Sequence, residues 1–130
     1  MALFKTKPEV KLELSPEAGF VLGYTYACWT ESAFGDFVVT SAKDGQHMVG
    51  SKHATGEAFD IRTRKHFNEH EGHHAPIMVA FCADLKRNLQ PHGVDVVLHP
   101  DDDPPGKKLP PHLHMEYDPK PGRVLTEVLT

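Results

Sequence analysis

Apolar and polar residues alternate along this chain with periods that change several times. Val10, Leu12 and Leu14 alternate with Lys11 and Glu13, which fits a short strand or an extended arm. Ser15-Pro16-Glu17 then supplies an N-cap, a proline for the first helical position and an acid for the first turn. Ala18, Val21, Leu22, Thr25, Tyr26, Cys28 and Trp29 follow at helical spacing and predict a helix from about Pro16 to Ser32. Gly19 and Gly23 weaken that helix or let it pack closely against a sheet. Asp36–Ser41 reads as a strand, and Lys43–Ser51 as a polar, glycine-bearing loop. Glu57–Thr63 reads as a second strand, with Ala58, Asp60 and Arg62 on one side and Phe59 and Ile61 on the other.

Arg64–His74 is polar and histidine-rich and reads as a loop. Pro76 opens a second helix, where Ile77, Phe81, Leu85 and Leu89 recur every four residues with Met78 and Cys82 beside them. His92-Gly93 closes it. Val94–His99, rich in β-branched residues, is a third strand. Pro100–Pro111 holds five prolines in twelve positions and reads as a surface loop. His112–Tyr117 alternates strictly and reads as a fourth strand, with a last short element at Val124–Val128. There is no internal repeat. The pattern predicts a single domain over residues 1–130 of the α+β class, a small, mostly antiparallel sheet flanked by two main helices.

Composition removes some function classes. A net charge of −4 argues against nucleic-acid binding, which needs a basic face. No apolar stretch approaches the roughly 20 residues that span a bilayer, so no membrane insertion is expected. Met1–Pro8 lacks the apolar region of a secretory signal, so synthesis in the cytoplasm is expected, with the final compartment unknown. A monomer is the expected state. Cys28 and Cys82 sit among apolar residues and read as buried thiols rather than a disulfide framework.

Ten histidines in 130 residues is a large excess, and histidine is the commonest side-chain metal ligand. His53 precedes the second strand, Asp60 lies in it, and Gly56 permits a tight turn between them. His112 and His114 share one strand face. Two imidazoles and a carboxylate on one sheet face make an N,N,O set, an arrangement typical of catalytic zinc with an open position for water. Zinc in such a site brings the pKa of bound water toward neutrality and polarises a carbonyl.

Ser51-x-His53-x-x-Gly56-x-Ala58-x-Asp60, followed by His112-x-His114, resembles the M15 family of zinc peptidases. These are D-Ala-D-Ala carboxypeptidases and phage endolysins that cut peptidoglycan peptides, with a fold shared by the hedgehog signalling domain. The resemblance runs from about Ser15 to Tyr117 and takes in Gly45–Ser51. It implies that His53, Asp60 and His114 hold Zn2+, that His112 acts beside the metal on the transition state, and that Ser51 holds substrate or orients a ligand. It also implies a hedgehog/DD-peptidase fold and a peptidoglycan peptide substrate.

The general base departs from the family pattern. Members carry a glutamate near the end of the strand before His-x-His, or three residues before the last ligand. Here those positions hold His99 and Pro111, so the candidate bases are His99, Asp101, Asp102, Asp103 and His112. Glu116 shares the face of His112 and His114 and reads either as a partner to a ligand imidazole or as a paired surface charge. Arg62 shares the parity of Asp60 and is a candidate for an anionic peptide terminus, with His47 a candidate for substrate contact. His66, His70, His73 and His74 fit a solvated loop bordering the cleft or a second metal site. The altered base leaves open a zinc peptidase of phage or prophage type acting on the cell wall or a zinc-bearing binding module without catalysis, and a metal-free histidine-rich domain is a third reading.

Overall fold

The computed structural model describes residues 2–42, 56–100 and 110–118. Its elements run β1 (Phe4–Thr6), α1 (Pro16–Glu31), β2 (Phe37–Ser41), β3 (Ala58–Arg62), a 3-10 turn (Arg64–His66), β4 (Phe67–Asn68), β5 (His73–His74), α2 (Pro76–Leu89), a second 3-10 turn (Gln90–His92), β6 (Val94–His99) and β7 (His112–Tyr117). The predicted element at Val124–Val128 lies outside the described residues. Five strands form one sheet in the order β1-β2-β3-β7-β6, and β4 pairs with β5 in a small hairpin.

The chain is α+β, and its sheet is mixed rather than the mostly antiparallel one expected from the sequence. β2–β3, β3–β7 and β7–β6 pair antiparallel, but β1–β2 pairs parallel. The cause is α1, which lies between β1 and β2 and returns the chain in the same direction, as a helical crossover does. The first strand also falls at Phe4–Thr6 rather than in the alternating stretch around Val10–Leu14. Phe4–Thr6 has the edge of β2 to pair with, in register Phe4↔Phe37, whereas Val10 and Leu14 pack on the core from irregular chain.

Helix α1 begins where the capping residues predicted. The Ser15 hydroxyl accepts from the Ala18 N–H at 3.1 Å, and Pro16 takes the first helical position. Nothing lies within 4 Å of where a Cβ on Gly19 or Gly23 would stand, so close packing is not what those glycines serve. In α2 the buried stripe is Met78, Phe81, Cys82, Leu85 and Leu89, while Ile77 is 60% exposed. The stripe is rotated one position from the four-residue repeat, because a buried helix face follows 3.6 residues per turn. After Leu89 the chain tightens into the second 3-10 turn and exits through Gly93 at φ 83°.

Both helices contribute to one core with Phe37 and Val39 of β2, Phe59 and Ile61 of β3, Val94 and Val96 of β6, and Leu113 and Met115 of β7. Strand alternation therefore turns Asp60, Arg62, His112 and His114 to the opposite face. Cys82 is buried, and burial pushes its thiol up to about 12; Cys28 is half-buried, and the two are not bonded.

The stretch Arg64–His74 is ordered rather than a solvated loop. His66 donates from Nε2 to the Phe34 carbonyl at 3.0 Å, and its ring meets Trp29 and Phe34 edge-on. His74 is buried, and its Nε2 lies 2.6 Å from the buried Thr63 hydroxyl. Tertiary partners for these two histidines turn a polar-looking run into structure.

Candidate functional site

Three cross-strand rows cover the face away from the core. β3, β7 and β6 align Arg62–His112–His99 in one row, Asp60–His114–Val97 in the next, and Ala58–Glu116–Asp95 in the third. The register of β2 against β3 shifts between Val39 and Ser41, opposite Ile61 and Asp60.

The centre of this array is Asp60 and His114. As direct partners across the ladder they put Asp60 Oδ1 2.8 Å from His114 Nδ1, with side chains only 17% and 19% exposed. On its other edge His114 Nε2 lies 3.2 Å from Glu116 Oε1. Ionised carboxylates only accept hydrogen bonds, so a carboxylate at each ring nitrogen favours the imidazolium form. Burial pulls the His114 pKa down, but the Asp60 and Glu116 carboxylates outweigh it and leave the value raised. A cation at Nδ1 is thus what this setting favours.

The same donors suit a metal ion. Nδ1 and Oδ1 lie 2.8 Å apart, and Glu116 is in place to accept from Nε2–H, as carboxylates do behind metal-bound imidazoles. The third ligand of the proposed set, His53, lies outside the described residues, as do Ser51, His47, Asp101, Asp102 and Asp103.

His112 donates from Nδ1 to the Pro110 carbonyl at 2.9 Å, which leaves Nε2 as the acceptor of the neutral ring. Its ring stacks on His99 with centroids 4.8 Å apart, and His99 meets His114 edge-on at 6.2 Å. Both described base candidates therefore stand beside the Asp60–His114 pair. A cavity of about 320 Å3 opens there, lined by Asp60, Arg62, His112, Thr40, Ser41 and Lys7, within the range of small-molecule sites.

Compared with protein-family models, with curated proteins and with solved structures, the chain matches none.

Asp95, Glu116 and Asp118 bring their carboxylates within 4.8 Å of one another, the one cluster of three or more such ligands among the described residues. It could hold a metal ion, and its all-oxygen donors suit a harder cation than zinc. The sequence reading missed it because Asp95 joins Glu116 only through the β6–β7 register. The signal available was the i, i+2 spacing of Glu116 and Asp118.

His66, His70, His73 and His74 form no group of three or more such ligands among the described residues. His66 and His74 are tied to Phe34 and Thr63, and His73 pairs with Glu71 at 2.8 Å. His74 has a measurable consequence. Burial, with smaller effects of His112, His66 and His73, holds its pKa down to about 4. Between about 6.5 and 4 the unfolded chain takes up a proton there that the folded chain refuses. Stability should therefore fall as pH drops through that window, by up to about 3 kcal/mol. His114 acts in the opposite sense, since its raised pKa stabilises the fold at low pH and loses that effect as pH rises through the folded value. Urea titrations of wild type and His74→Gln at pH 7.5 and 4.5 separate the two. The variant should lose much of the acid-induced destabilisation, and an unchanged pH slope would show that His74 is not its source.

Proposed function

We propose that this chain is a zinc-dependent peptidase hydrolysing peptidoglycan stem or cross-link peptides, of the D-Ala-D-Ala carboxypeptidase or endolysin type, on a hedgehog/DD-peptidase-like fold. The observation that carries this reading is the Asp60–His114 pair, set across the ladder from strands far apart in sequence and backed by Glu116. With His53 it would complete the ligand set that the motif implies. Zinc bound there would supply Lewis acidity toward a scissile carbonyl and lower the pKa of water. His112, with Nδ1 fixed by Pro110, presents Nε2 to take a proton from water or, once protonated, to donate to a developing oxyanion. The substrate would enter the cavity between Asp60, Arg62 and His112.

A second reading, a zinc-bearing binding module without turnover, is favoured by His99. The end of β6 carries this imidazole, stacked on His112, where the resemblance leads one to expect a glutamate.

Incubation of the zinc-loaded protein with L-Ala-γ-D-Glu-L-Lys-D-Ala-D-Ala and with cross-linked wall peptides tests the first reading. Peptide cleavage should stop with a chelator. His112→Gln should slow it by about 100-fold or more with zinc content unchanged, the scale of general acid–base catalysis. Stoichiometric zinc with no cleavage of any wall peptide would favour the binding module, and absence of zinc binding would remove both readings.

A further inference from the structure

We propose that a second cavity, adjoining the candidate site, binds a carboxylate of the substrate set back from the bond to be cut, so that the protein selects acidic peptides over their amidated forms. This rests on the peptidase reading for what the substrate is, but the binding it describes does not require turnover.

The cavity measures about 420 Å3 and lies between β1 and the turn that follows β3. Lys5, Lys7, Arg62 and Lys65 line it with His66, and Asp36 is the one acid among its lining residues. Such a concentration of cations is unusual in a chain whose net charge is −4. Asp36 is already engaged, since Lys5 sits 2.7 Å from it and holds its carboxyl below the usual range, with Lys65 adding to the effect. Lys7 pairs with the exposed Glu9 at 3.3 Å, a contact open to exchange. Neither Arg62 nor Lys65 forms a side-chain hydrogen bond or salt bridge among the described residues. Trp29, Phe34 and Val38 also line the cavity, and apolar surroundings strengthen a charge contact.

Its position gives the cavity a role. Lys7 and Arg62 line both it and the cavity that holds Asp60 and His112, so the two adjoin through those side chains. A peptide reacting beside Asp60 and His114 would extend past Arg62 into a cationic recess of side-chain size. An arginine fork with a lysine beside it matches a carboxylate. A polymeric polyanion would need a longer basic track, which a chain of net charge −4 does not favour.

The test uses metal-free protein in chelator, so that binding is read without turnover. Two stem pentapeptides serve as probes, L-Ala-γ-D-Glu-L-Lys-D-Ala-D-Ala with the glutamate α-carboxyl free or amidated, with inorganic phosphate as a competitor. Calorimetry at low salt should show the free acid binding roughly tenfold tighter than the amide, the scale of one charge-assisted contact. Lys65→Gln and Arg62→Gln should each erase most of that difference, with circular dichroism unchanged. Equal affinity for the two peptides, or a difference that survives both substitutions, would overturn the proposal. So would displacement of the peptide by millimolar phosphate as effective as by free acid, because the recess would then be a general anion site. Acid-selective binding in a protein that never cleaves peptide would sink the peptidase reading and leave this recess standing.

Discussion

Replacing His114 with alanine should lower zinc affinity by more than about a hundredfold, measured as metal content after dialysis and by competition with a chromophoric chelator. His114 Nδ1 lies 2.8 Å from Asp60 Oδ1, so its loss would leave one described member of the proposed ligand pair. Glu116→Gln removes only the carboxylate behind Nε2 and should cost about 10–100-fold, the range seen for groups that orient ligand imidazoles. The order of the two effects is the diagnostic. A metal held instead by Asp95, Glu116 and Asp118 would be hurt more by Glu116→Gln than by His114→Ala, and would prefer calcium or manganese to zinc. The pH dependence adds a check. The two carboxylates favour the protonated ring of His114, so zinc binding there should release a proton and weaken as pH falls. Calorimetry in buffers of different ionisation enthalpy reads that proton. Undiminished one-to-one zinc binding by both His114→Ala and Asp60→Asn would end the metal assignment.

Gly56→Ala should be the most damaging small substitution in the described chain, at about 2–3 kcal/mol or more, which is roughly 10 °C in melting temperature. Gly56 has φ +77°, and a Cβ there would stand 2.5 Å from the Glu13 carbonyl oxygen. Its own carbonyl accepts from the Ser15 N–H at 2.8 Å, so this contact ties the start of α1 to the entry of β3. Backbone cannot swing aside as a side chain can, and a methyl group would have to push the arm at Glu13–Leu14 away. Gly35→Ala is the matched control. Gly35 also has positive φ, at +90°, but nothing lies within 4 Å of its Cβ position, so it should cost only the left-handed strain, about 1–2 kcal/mol. Equal melting temperatures for the two variants would refute the close-approach argument. Lost zinc affinity in Gly56→Ala would link that contact to the segment carrying His53.

Much of the site's support was legible from local pattern. The capping of α1 needed only Ser15, Pro16 and Glu17, because helix N-termini are set by residues that touch their own backbone. The strands at Ala58–Arg62 and His112–Tyr117 followed from alternation, which also put Asp60 and His114 on polar faces, and Val94–His99 followed from its β-branched residues. The glycine of the motif was read as a turn, but its second duty, to clear the backbone at Glu13, depends on a neighbour 43 positions away.

The sequence alone therefore settled which residues form the helices and strands that carry the array, and which side chains could share a face, because these depend on contacts within a few residues. Tertiary structure decided what no local period encodes. It set the parallel β1–β2 edge, the register that puts Asp60 opposite His114 and Asp95 opposite Glu116, and the burial of His74 against Thr63. It also brought Lys7 and Lys65 to the same recess as Arg62. Each of these joins segments distant in the chain, and only the packing of the core fixes how such segments align.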